Sequence, residues 1–182
     1  GPRVDEAPLP VGWPELTPVG EIEVKQYPDY RAAVIDERTD GSQSGMFRPL
    51  FNHIQREDIA MTAPVEMTYA GDRQTSMAFL YRDPEMGSLG SDAEDNRVQV
   101  RDIPTQTAVS IGVRGRYTSE RYNKALAELN AWLDDNQAEW RADGEPRFLG
   151  YNSPFVPWFM RYGEVQVPVV EATDDRAEPS SD

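Results

Sequence analysis

His53 is the only histidine in the chain. A neutral imidazole is a good axial ligand for haem iron. On a helix flank the same side chain also serves as a rim residue that hydrogen-bonds a neighbour or water. Residues 46–56 around it carry Arg48 and Arg56 and no acid, a net of +2 inside a chain of net charge −14. Phe47, Leu50, Phe51 and Ile54 repeat beside it at helical spacing. An apolar stripe edged by arginine suits an amphipathic, dianionic ligand, because the guanidinium fork matches a planar carboxylate. Paired with Glu57 and Asp58 instead, the same arginines would be ordinary surface ion pairs. Met61 offers a thioether, either as a soft contact or iron ligand or as core filler.

Composition excludes other chemistries. Without cysteine there is no disulfide, zinc ribbon, iron–sulfur cluster, thiol nucleophile or covalent haem attachment. One histidine rules out a multi-histidine metal site. Residues 112–115, Gly-Val-Arg-Gly, lack the spacing of a phosphate loop. The acidic balance repels phosphate backbones, so no nucleic-acid partner is expected. No apolar run approaches the roughly 18 residues of a bilayer span, so no integral membrane segment is expected. Acidic pairs such as Asp134 and Asp135 read as a solvated helix face. No catalytic residue is assigned, and the chain reads as a binding protein rather than an enzyme. A soluble protein, cytoplasmic or exported, fits this composition; the oligomeric state is not legible.

The elements that must position these residues come in two similar sets. Segment 22–35 lies 76 positions before segment 98–111, with Val24/Val100, Pro28/Pro104, Ala32/Ala108 and Ile35/Ile111 identical. Each reads as strand, turn at proline, strand. A helix follows each copy. The first spans about 45–55 and the second about 118–141, the latter with Thr118 or Ser119 as N-cap and a stripe of Tyr122, Leu126, Leu129, Leu133 and Trp140, stopped by Gly144 and Pro146. Strands at 65–69, 76–81, 147–151 and 164–169 complete the halves. The expected fold is α+β: a duplicated hairpin-helix-hairpin unit forming a curved eight-stranded antiparallel sheet, a distorted barrel, with two helices. Residues 83–95 hold five acids and no base, and 171–182 hold five acids against Arg176. They read as an exposed linker (83–96) and a disordered tail (171–182). The Gly-Pro opening reads as a protease scar, which sets 1–18 apart as an extension before a single domain at 19–170, its halves 19–82 and 97–170.

Tyr151-Asn-Ser-Pro-Phe-Val-Pro-Trp-Phe-Met-Arg-Tyr162 cannot be a regular helix. It reads as an aromatic loop that walls a pocket or caps the core. Together with Phe47-Arg-Pro-Leu50, Ile59-Ala-Met-Thr-Ala-Pro-Val65 and Arg161-Tyr-Gly-Glu-Val165, its Tyr-Asn-Ser-Pro-Phe start resembles the SOUL haem-binding protein family over roughly residues 19–170. The resemblance implies reversible, non-covalent binding of haem or another tetrapyrrole, a small-molecule partner, in a shallow apolar cleft by the first helix. The porphyrin would lie on Phe47, Leu50 and Ile54, with Met61 nearby. Arg48 and Arg56 would meet the propionates and His53 would ligate iron. The alternatives are a different hydrophobic ligand, as in gyrase-inhibitor-like sensor domains, and a carboxylate-based enzyme.

Overall fold

The computed structural model describes residues 7–36, 45–153 and 155–173. Among them run β1 (Ile22–Tyr27), β2 (Tyr30–Asp36), α1 (Phe47–Arg56), β3 (Val65–Ala70), β4 (Arg73–Leu80), β5 (Gly90–Ser91), β6 (Gln99–Ile103), β7 (Gln106–Arg114), α2 (Ser119–Asp135), β8 (Trp140–Ala142), β9 (Arg147–Gly150) and β10 (Tyr162–Glu171), with a 3₁₀ turn at Trp158–Met160. The strands join one antiparallel sheet ordered β1-β7-β10-β9-β3-β4-β2-β6-β5, with β8 beside β10. The α+β class and the two helices are as expected. The sheet stays open, not a distorted barrel, because β1 and β5 at its ends do not pair with each other. Beyond the eight expected strands come the short β5 and β8. The Gly-Pro opening and most of the expected tail lie outside the described residues.

The first pair of strands in each half is not a hairpin. β1 pairs with β7, from Ile22↔Ile111 to Tyr27↔Gln106, while β2 pairs with β6, from Tyr30↔Ile103 to Val34↔Gln99. The Pro28-Asp29 link lacks the left-handed Asn-Gly or Gly residues of a tight hairpin, and proline has no N–H to close one. Pairing across the halves satisfies these backbones instead. β3 and β4 do form a hairpin, turning at Gly71 with φ 64°. If β1, β2, β3 and β4 are exchanged for β6, β7, β9 and β10, the order of those eight strands reads the same from the other end.

Alternation along the strands gives the sheet two different faces. On β10, Val165, Val167 and Val169 point toward α2 and join Val109, Phe148, Tyr122, Ala125, Leu129 and Leu133 in one core cluster. Ala33, Ile35, Phe79 and Val100 similarly meet Met46, Leu50 and Ile54 of the α1 region. The alternate residues Tyr162, Glu164 and Gln166 face away from the helices and are buried too. There Glu164 accepts from Lys25 Nζ (2.9 Å) and Thr17 N (2.7 Å), and Arg147 donates to Gln166 (2.9 Å) and to the Tyr30 hydroxyl (2.8 Å). Buried polar groups of this kind persist only when they are hydrogen-bonded. The cover over them is the segment set apart as an extension: Trp13 donates to the Tyr151 hydroxyl (2.8 Å) and meets Tyr27 and Tyr30 edge-on. Residues 7–18 are therefore part of the packed fold.

The helices end for identifiable reasons. Pro49 fits the first turn of α1, where an N–H has no helical partner. At the other end Asp58 takes φ 55°, and Ile59 N donates to Ile54 O (2.8 Å) while Asp58 N donates to Gln55 O (3.3 Å). This is the Schellman closure, and Ile54 and Ile59 make its apolar contact. α2 starts at Thr118, whose hydroxyl accepts from Arg121 N (3.2 Å). It stops at Asp135, six residues short of the expected end. The Asn136 side chain donates to Trp132 O (2.7 Å), and residues 140–142 leave the helix to pair with β10. Trp140 still packs on the α2 core cluster, so its place in the periodic stripe reflected burial and not helix.

Candidate functional site

α1 carries the residues expected to bind a ligand, and the structure divides them. Leu50 and Ile54 point into the sheet and are buried, and Met61 is half-buried against the same cluster. Leu50 and Ile54 offer no free face to a porphyrin. Phe47 and Phe51 lie at the outer edge of the stripe, 43% and 36% exposed. Their rings stack at 6.1 Å with an interplanar angle of 13°, and Phe47 is anchored edge-on to Phe79 (5.2 Å). Arg48 is exposed on the same helix, one residue from Phe47.

His53 is buried, with both ring nitrogens engaged. Nδ1 lies 2.6 Å from Asp92 Oδ1, and Nε2 lies 2.7 Å from the Tyr81 hydroxyl. An ionised Asp92 can only accept, so Nδ1 donates to it, while Nε2 is held by the Tyr81 hydroxyl. No lone pair remains for iron. His53 thus ties α1 to the acidic linker and to the end of β4. Arg56 is committed likewise: its Nη2 donates to Asp92 Oδ2 (2.6 Å), and Glu94 stands 3.7 Å from Nε. Asp92 also accepts from the N–H groups of Glu94 and Asp95 (2.9 Å each). Burial raises the Asp92 carboxyl, but the bonds from His53, Arg56 and the Glu94 N–H outweigh it and bring it down to about 2. Burial, aided by nearby carboxylates, pushes the Tyr81 phenol up to about 12, so it stays a donor.

Neither Asp92 nor Tyr81 was singled out as a site residue in the sequence reading. Asp92 sat among acids read as a solvated linker. The available signal was charge: a helix of net +2 without an acid of its own needs carboxylates from elsewhere, and residues 83–95 supply them. Arg31 clamps the same linker by donating to the carbonyls of Met86 (3.0 Å) and Gly87 (3.1 Å).

Two hollows lie away from α1. One of about 830 Å³ is bordered by Tyr27, Gln106, Trp140, Asp143 and Pro168. The other, about 580 Å³, opens on the helix-free face between Tyr30, Glu66, Thr68, Ser76, Arg101 and Glu145. Among the described residues no three acidic or histidine side chains gather to hold a metal ion, and no helix is long and apolar enough to cross a membrane.

The architecture is that of a two-helix, single-sheet α+β domain found in solved structures. The C-terminal domain of EcmrR superposes with a TM-score of 0.60 at 16% identity, covering 82% of this chain and 97% of that one. A hydrolase from Listeria innocua gives 0.59 at 13% identity, over 85% of this chain and 94% of that one. At such identities the likeness concerns the fold alone. No curated protein matches the sequence. Residues 14–168 match the SOUL heme-binding protein family, and the chain belongs to it.

Proposed function

We propose that the protein binds haem or another tetrapyrrole reversibly on the outer face of α1, as a non-enzymatic binding protein. The observation that carries this reading is the stacked, solvent-facing pair Phe47 and Phe51 on a helix with no acid of its own. When bound, a tetrapyrrole supplies a wide apolar face and carboxylates at its rim. Phe47 and Phe51 cover part of that face, and burying each ring edge against it removes apolar area from water. Arg48 meets a propionate, whereas Arg56 stays with Asp92. His53 holds the helix in place and gives no bond to iron. Membership of a haem-binding family supports the ligand class.

A haemin titration followed at the Soret band tests this. The wild-type chain shifts and sharpens the band at micromolar protein. Phe47→Ser with Phe51→Ser abolishes the shift, and iron-free protoporphyrin competes on equal terms because no residue ligates the metal. An unchanged band with wild-type protein overturns the reading. A second reading places a polar small molecule in the groove beside Tyr30 and Glu66, favoured by its volume and hydroxyl-rich lining. Ligands that raise the melting temperature equally in the double serine variant and in wild type would favour that groove. For a carboxylate enzyme the buried Asp92 offers little, because His53, Arg56 and the N–H groups of Glu94 and Asp95 already occupy both its oxygens.

A further inference from the structure

We infer that the turn carrying Phe155, Trp158, Phe159 and Met160, with Arg114, Arg116 and Arg121 beside it, is a docking surface for anionic lipid membranes. Among the described residues these four large apolar side chains, close together in sequence, are exposed to 96%, 49%, 57% and 54% respectively. They sit together on one turn and its 3₁₀ continuation. Exposed aromatic clusters of this kind mark interaction sites, because leaving them in water forgoes their burial. Trp and Phe on an ordered turn suit the headgroup boundary of a bilayer.

The charge around the turn points to the partner. Arg116 lies over the Trp158 ring at 5.1 Å, Arg114 Nη1 donates to Met160 O (3.2 Å), and Arg121 Nε donates to Arg116 O (2.9 Å). Gly115 N donates to Arg161 O (2.9 Å), fixing the β7–α2 connection against the aromatic turn. Among the described residues none of Arg114, Arg116 and Arg121 pairs with a carboxylate. Segments 112–122 and 155–163 together hold four arginines and one acid, Glu120, a net of +3 within a chain of −14. The whole molecule is repelled by an anionic surface at long range. Beyond about 8 Å, however, physiological salt screens that repulsion, and the cationic patch acts at contact.

The turn is also preformed. Val156 N donates to Ser153 O (3.1 Å), Met160 N to Pro157 O (2.8 Å) and Arg161 N to Trp158 O (3.2 Å). Those N–H groups need no new partner when the rings enter a poorly hydrated layer. The reading does not depend on tetrapyrrole binding.

Co-sedimentation of the full chain with vesicles tests it. Phosphatidylcholine–phosphatidylserine vesicles retain the protein and phosphatidylcholine vesicles do not, and added salt weakens the retention. Removal of a single arginine, Arg116→Gln, lowers partitioning roughly fivefold. Trp158→Ser with Phe159→Ser abolishes it and leaves the melting temperature unchanged, since both side chains are exposed. Phe47→Ser with Phe51→Ser leaves it intact. The inference is overturned if the protein ignores both vesicle types, binds both alike, or binds unchanged in the Trp158/Phe159 variant. It is also overturned if sedimentation equilibrium shows the patch buried in a dimer that the same variant dissociates.

Discussion

α1 and α2 stand in matching places, each after two long strands and before the next pair, yet they present opposite outer faces. α2 has 17 residues, a Thr118 cap and an acid in its first turn. Its inner face is Tyr122, Ala125, Leu129 and Leu133, and its outer face is charged, polar or small, with Leu126 and Trp132 partly buried at the margins. α1 has ten residues, no side-chain cap at Met46 and no acid in its first turn, and it leaves two phenylalanines in water. A short, poorly capped helix has little stability of its own, so packing must hold it. The Asp92–His53–Tyr81 line and the Arg56–Asp92 pair provide this hold. The contrast separates scaffold from working surface: α2 spends its apolar residues on the core, whereas α1 keeps two of them outside.

Four measurements would sharpen or break that contrast. Leu129→Ala empties a fully buried site under α2 and should cost about 2–5 kcal/mol in urea denaturation, with haemin affinity of the folded fraction unchanged. Asp92→Ala leaves His53 Nδ1 without its partner and should cost about 1–3 kcal/mol. It should also flatten the acid limb of the stability curve. The folded Asp92 carboxyl lies below its unfolded value of 3.8, so its contribution, about 2 kcal/mol, is complete above the unfolded value and is lost as pH falls toward about 2. A variant with the same acid limb as wild type would remove Asp92 from its assigned role. Thr118→Ala strips the cap of α2 and should lower stability by about 1 kcal/mol. Phe47→Ser with Phe51→Ser should change stability least, within about 0.5 kcal/mol per site, while removing haemin binding. A large loss of stability there would make α1 a second scaffold helix and end the contrast.

Much of this was legible along the chain. The strand and helix stripes were readable because burial imposes periods of two and 3.6. The limits of those stripes were not. Phe47, Leu50, Phe51 and Ile54 define a sector wider than the helix's contact with the sheet, and sequence does not tell its inner edge from its outer one. Trp140 kept the helical period because it reaches the same core from β8. His53 looked available because its partners lie 28 and 39 residues away, one at the end of an expected strand and one in a segment read as an exposed linker. The pairing of β1 with β7 was hidden because each proline-centred segment is locally a plausible hairpin. Only backbone partners distant in sequence decide it.

The crossed pairing has a consequence for how the chain comes together. β1 must wait for β7 and β2 for β6, each separated by more than sixty residues of chain. Closing such spans loses entropy before any contact returns it, which places the protein among slow folders, in the range of milliseconds to seconds. A nascent chain released only through β4 holds β1 with an unsatisfied edge. It stays open to wrong partners until its later strands arrive.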